Sequence, residues 1–127
     1  MNKKTDKVVI LGASNNHHRF SYKAFRLLRE KGYSIVPVHP AIDAIEGVSV
    51  RHSFAEIKEK IHTVTVYVSP ANLLKLINAL INLKPERVIL NPGTESEEVI
   101  KALQSAGIRV VRECTLILLN SERFDDA

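Results

Sequence analysis

Cysteine occurs once in the 127 residues, so no internal disulfide can close. That removes the small cross-linked secreted scaffolds and predicts a cytoplasmic setting. Long apolar runs are also missing; nothing approaches a bilayer span, and no membrane partner is expected. The opening stretch MNKKTDK has lysines but no apolar segment behind them, so it does not read as a secretory signal. Aromatic residues make up only 6% of the chain, the basic residues are dispersed, and no nucleic-acid motif occurs. Nucleic acid is therefore not an expected partner. Metal-ligand patterning is absent as well: His17 and His18 are adjacent and cannot share one helix face as ligands four apart do. Ser14 is no nucleophile elbow, because G-x-S-x-G does not occur. Glu95, Glu97 and Glu98 cluster at a predicted helix start, where they complement the dipole without a catalytic role. No catalytic residue and no metal are assigned.

What is present is ordinary for a globular chain: 45% hydrophobic and 25% charged residues, with a net charge of +4 that mildly favours an anionic partner. The length suits one domain, with a core over residues 6–120 and a polar tail, 121–127, expected to fray. The organising stretch is VVILGASNNHHRFSYKAFRLLREKG, residues 8–32. An apolar run, Val8 to Leu11, stops at Gly12. Small or turn-forming Ala13, Ser14, Asn15 and Asn16 follow, then Phe20, Ala24, Leu27 and Leu28 at helical spacing, closed by Gly32. This predicts a buried strand, a glycine turn and an amphipathic helix. Backbone N–H groups at such a helix start lack partners and lie at the positive end of the dipole, which suits phosphate. The turn is Gly-Ala-Ser, neither G-x-G-x-x-G nor a Walker loop. Taken alone, a plain tight turn explains it equally well.

The remainder alternates strand and helix. YSIVPVHP is β-rich and ends at Pro40, and 41–52 is a connector with a possible short strand, Val48–Val50. Ser53 to Glu56 has capping-box spacing for a helix to about Lys60. VTVYVS is a third long strand, after which Ser69 suits an N-cap and Pro70 the first helical position. RVILNPG repeats the pattern. Thr94 to Glu97 is a second capping box, IRVVREC is the last strand, and TLILLN is a buried closing segment, helix or strand. Such alternation is the mark of a single-domain α/β fold with an open parallel sheet, Rossmann-like. The expected strand order, counting the short strand, is 3-2-1-4-5-6, with a flavodoxin-like order as the rival.

In such sheets ligands bind beyond the C-terminal strand ends. Four tripeptides fall there: Gly12-Ala13-Ser14, Val38-His39-Pro40, Val68-Ser69-Pro70 and Asn91-Pro92-Gly93. A nicotinamide site of this topology wants Asp or Glu at the end of the second strand, where this chain has His39 and Pro40. Proline offers a flat apolar surface to an adenine ring, and His39 a donor to phosphate or ribose.

The succession VVILGASNN…RFSYKAFRLLREKGYSIVPVHP, YVSP, ILNPGTESEE and VVRECTLILL resembles the small stand-alone CoA-binding family, itself similar to the CoA-binding domain of succinyl-CoA synthetase α subunits. The resemblance implies that Gly12, Ala13, Ser14, Asn15 and Asn16 meet the phosphates of coenzyme A, and that Val38, His39 and Pro40 border its adenosine. It implies that Ser69, Pro70, Asn91, Pro92 and Gly93 line the remaining rim. Arg19, at the helix entrance, is expected to help neutralise phosphate charge, whereas Lys23 reads as a solvated surface residue. Cys114 follows the last strand, either as a small packing residue or as a thiol near that of CoA. The function implied is non-catalytic binding of CoA or an acyl-CoA. The alternative is an enzyme part: a CoA ligase working with a separate chain, or a diverged NAD(P)-binding oxidoreductase. Ligase chemistry of the succinyl-CoA synthetase kind needs a phosphorylatable histidine and a ligase domain, neither expected within these residues. A homodimer or a partner ligase subunit remain open as assemblies.

Overall fold

The computed structural model describes Met1–Ala127. In chain order the elements are β1 (Lys7–Leu11), α1 (Phe20–Glu30), β2 (Ser34–Val38), β3 (Ala44–Ile45), β4 (Val48–Ser49), a 3-10 turn (Phe54–Glu56) and β5 (Thr63–Val66). They continue with α2 (Pro70–Lys75), α3 (Ile77–Leu83), β6 (Arg87–Leu90), α4 (Glu97–Ser105), β7 (Arg109–Val111) and α5 (Thr115–Asn120). No helix is long and apolar enough to cross a membrane.

Five strands form one parallel sheet in the order β2-β1-β5-β6-β7. Its strands read as continuous apolar runs because both faces are covered. Val9 and Leu11 of β1, Val64 and Val66 of β5, and Val88 and Leu90 of β6 pack against Phe54, Leu73, Leu80, Val99 and Leu103 on one face. Val8, Ile10 and Ile89 pack against Tyr22, Phe25, Leu28 and Leu118 on the other. Thus α2, α3 and α4 share one side, and α1 and α5 the other.

The outer edge differs from the expected six-strand order. Val48–Ser49 pairs antiparallel with Ala44–Ile45 in a hairpin of its own. Its turn, Glu46–Gly47, has φ of +47° and +81°, the backbone that a two-residue hairpin needs. Only Arg51 reaches the sheet, as a single parallel bridge beside Val38. Its N–H donates to Pro37 O (3.0 Å) and its carbonyl accepts from His39 N (3.0 Å). The carbonyl of Pro37 faces the open edge, so its missing N–H falls on the same side and deprives no ladder partner.

Local signals shifted in three other places. The helix expected from Ser53 shrinks to one 3-10 turn, since the Glu56 carboxylate accepts from His52 N (2.9 Å) and Ile57 turns extended to bury itself. The cap of α4 is Ser96, not Thr94; Ser96 Oγ accepts from Val99 N (3.4 Å), while Thr94 Oγ1 donates to Asn91 O (2.7 Å). The polar tail packs against the fold. Phe124 is buried edge-on against Tyr33 with ring centres 5.0 Å apart, and Arg87 donates to the main-chain oxygens of Phe124 (2.5 Å) and Ala127 (2.8 Å).

Candidate functional site

The site grows from the C-terminal ends of β1, β2 and β5. Gly12 has φ of +86°, and a Cβ there would stand 2.9 Å from the carbonyl oxygen of Tyr67. Glycine is needed twice over, for the left-handed backbone and for the close approach to the chain leaving β5. The N–H groups of Gly12 and Ala13 both donate to Val38 O, each at 3.1 Å. Ser14 Oγ then accepts from Asn16 N (2.9 Å), and Asn16 Oδ1 from His18 N (3.0 Å). These side-chain turns deliver the chain to α1. Asn15 Nδ2 donates to Ala44 O (3.4 Å), tying the turn to the hairpin.

The start of α1 differs from those of α2 and α4. Ser69 Oγ accepts from Asn72 N (3.2 Å) and Ser96 caps α4, whereas Arg19 at the head of α1 supplies no cap and no acidic residue stands in its first turn. A guanidinium at the positive end of a helix dipole is unfavourable without an anion between them. The Arg19 side chain is exposed and has no hydrogen-bonding or ionic partner.

Beside this start opens a cleft of about 780 Å3. Gly12 to Ser14 and Arg19 form one wall, Val38 to Pro40 and Tyr67 to Ser69 the floor. The opposite wall is Phe54 and Ala55 with one face of α2 and α3: Asn72, Lys75, Leu76 and Ala79. Arg19 and Lys75 are its charged residues; no carboxylate lines it. His39 Nδ1 accepts from Ala41 N (3.0 Å), which leaves the proton on Nε2 as a donor. His52, at the rim, is held by Asp43 (2.8 Å from Nε2). A second cavity of about 250 Å3 shares Arg19, Ser21 and Tyr67 to Ser69 with the first and adds Phe20, Pro92, Gly93 and Thr94. The Tyr67 hydroxyl is buried without a hydrogen-bond partner, and burial pushes its pKa up to about 12.

The structure therefore brings Gly12, Ala13, Ser14, Arg19, Val38, His39, Pro40 and Ser69 onto one cleft and Pro92 and Gly93 onto the adjoining cavity. Asn15, Asn16, Pro70 and Asn91 line neither. Asn91 is occupied elsewhere: its Nδ2 donates to Thr65 Oγ1 and Val66 O, and its Oδ1 accepts from Thr115 N, all at 2.8 Å. It ties β5 and β6 to the start of α5. Cys114 is the half-buried residue that precedes α5 and lines neither cavity. Lys23 lies over the Phe20 ring, 5.3 Å from its centre. Sequence reasoning missed the far wall. Asn72, Lys75, Leu76 and Ala79 are spaced as one helical stripe and were legible as such. Phe54 and Ala55 carry no local signal, because the hairpin and the Arg51 bridge bring them there.

A family model described as the CoA binding domain matches residues 6–120. The uncharacterized protein YneT of Bacillus subtilis (strain 168) is 24% identical over 110 residues, 87% of this chain and 82% of that protein. A solved structure of a Thermus thermophilus protein superposes with a TM-score of 0.86 at 30% identity, covering 94% of this chain and 91% of that one. A dinucleotide-forming acetyl-coenzyme A synthetase from Ca. Korarchaeum cryptofilum shares the fold, with a TM-score of 0.77 at 18% identity over 87% of this chain and 26% of that one. With the match running from just ahead of β1 to the end of α5, the chain belongs to the CoA-binding domain family.

Proposed function

We propose that the cleft binds coenzyme A or an acyl-CoA without catalysing a reaction on it. The observation that carries this reading is the lining of the cleft: two cations, no carboxylate, and an uncapped helix start at one end. An anionic ligand satisfies all three. The diphosphate would meet Gly12 to Ser14, the first-turn N–H groups of α1 and Arg19. The adenosine would lie against Val38 and Pro40, with His39 Nε2–H as donor. Bound CoA supplies a thiol on a flexible arm, and the adjoining cavity beside Pro92 and Gly93 can take that arm. Neither cavity is lined by a thiol or carboxylate, and the Nδ1 of His39 is already engaged, which favours holding the ligand over transforming it. NAD fits less well, because His39 cannot accept through Nδ1 the ribose hydroxyl bonds that an acidic residue takes at that strand end.

Thermal unfolding with CoA, NAD and NADP at equal concentration tests the reading. A ligand confined to the native state stabilises it by about 2.7 kcal/mol at a hundredfold excess over its Kd. CoA should give the largest rise in Tm; an equal or larger rise with NAD would overturn the proposal.

A further inference from the structure

Lys75 is a cation without a side-chain partner in the fold. It ends α2, is exposed, and its ammonium takes part in no hydrogen bond or ion pair, yet it lines the cleft. Three features give it a direction. It shares one helical face with Asn72, Leu76 and Ala79, opposite the wall that carries Arg19. Leu76, Ala79 and Phe54 add apolar lining to the same cleft as Val38 and Pro40, where the adenosine is placed. Lys75 and Phe54 line only the larger cleft, whereas Arg19 lines both cavities and so stands between the two. A ligand whose diphosphate lies at Arg19 therefore has its thiol arm on one side and its nucleoside on the other, with Lys75 on the nucleoside side. A second phosphate on the ribose is what a free ammonium beside a base site would recognise, and CoA carries one at the 3′ position.

We propose that Lys75 binds the 3′-phosphate of CoA and makes the cleft selective for 3′-phosphorylated adenosine nucleotides over their unphosphorylated counterparts. The inference rests on the CoA reading above. It differs from a general attraction for anions, because Lys75 would act on one phosphate and leave the diphosphate contacts alone. A charge-assisted contact of this kind at a half-open site corresponds to about tenfold in affinity.

Isothermal titration of CoA and dephospho-CoA into the wild type, Lys75→Ala and Lys75→Arg tests it. The wild type should bind CoA about tenfold more tightly than dephospho-CoA. Lys75→Ala should bind both at the wild-type level for dephospho-CoA, and Lys75→Arg should keep the preference. Because Lys75 is exposed and its ammonium makes no hydrogen bond or ion pair, the variants should melt within a degree or so of the wild type, which a thermal scan checks. A preference that survives in Lys75→Ala would overturn the proposal, as would an equal weakening of both ligands or no preference in the wild type. Each of these leaves CoA binding itself intact. Failure of the wild type to bind either ligand would instead overturn the CoA reading, and this inference with it.

Discussion

Arg87 and Arg19 stand at opposite ends of the same sheet and are treated in opposite ways. Arg87, at the start of β6, is fully buried. Its Nε donates to Thr63 Oγ1 (2.7 Å), its Nη1 to the Phe124 and Ala127 oxygens, and its guanidinium lies 4.4 Å over the Phe124 ring. No side-chain carboxylate pairs with it, and burial, with Arg109 nearby, brings its pKa down to about 10. Arg19 is exposed and bonded to nothing. The N-terminal strand ends have been closed by the protein's own polar groups, with Tyr33 donating to Asp125 Oδ1 (2.5 Å) as a further tie. At the C-terminal ends Arg19, Lys75 and the N–H groups that start α1 are left open. Where a chain satisfies its polar groups at one end and leaves them free at the other, the free end is where a ligand belongs.

The comparison breaks most directly at the two arginines. Arg87→Ala empties a fully buried site and leaves the Phe124 carbonyl without its donor, while Thr63 Oγ1 keeps His62 Nδ1 (2.7 Å) and the Ala127 oxygen keeps Arg109 (3.1 Å). It should cost about 3 kcal/mol or more in urea unfolding. Arg19→Ala should shift stability by less than about 0.5 kcal/mol while weakening CoA about tenfold. If the two variants unfolded alike, the contrast between the ends of the sheet would not hold.

Two glycines sharpen it next. Gly12 and Gly32 have the same φ of +86°, but a Cβ at Gly32 meets nothing within 4 Å, whereas at Gly12 it meets the Tyr67 backbone at 2.9 Å. Gly32→Ala should cost about 1 kcal/mol, the backbone penalty alone. Gly12→Ala should cost about 1 kcal/mol beyond that, since a carbonyl cannot step aside as a side chain can. Equal losses in chemical denaturation would mean that Gly12 serves only the turn.

That pair also shows how far the sequence could be read. The strand, glycine turn and helix of residues 8–32 were legible because apolar periodicity and a glycine stop are local signals. So was the Ser69-Pro70 helix start. The identity of Gly12's neighbour was not, because Tyr67 arrives from another strand. Right-handed crossovers narrowed the topologies without fixing the edge: Glu46 adopts positive φ without being glycine or asparagine, its hairpin took the residues expected for a sixth strand, and the five strands left stand in the flavodoxin-like order given as the rival. Asn91 looked like a rim residue by position and proved to be an internal tie, since a buried amide at a strand end finds partners before it faces a ligand. The tail looked polar, and only the single buried Phe124 against Arg87 shows why it is ordered.

The smallest effect concerns a residue at the ligand end that is nonetheless paired. Arg51 holds His39 in place through its backbone, and its guanidinium grips Glu59 with two parallel bonds, Nη1–Oε1 2.9 Å and Nη2–Oε2 2.5 Å. That grip draws the Glu59 pKa down from 4.5 to about 2. A carboxyl whose folded pKa lies below its unfolded value adds stability that is complete above about 4.5 and lost as pH falls toward 2. The pair is about a third exposed, so solvent screening limits its contribution to about 1 kcal/mol. Glu59→Gln should therefore be less stable than the wild type by that amount at pH 7, and the gap should close between pH 4.5 and pH 2 in urea unfolding series. Other acidic residues titrate in both proteins, so the difference between the two curves isolates this pair. A gap that stayed constant with pH would assign the effect to packing of the side chain against Lys58 and Arg51, and the rim at His39 would then owe nothing to charge.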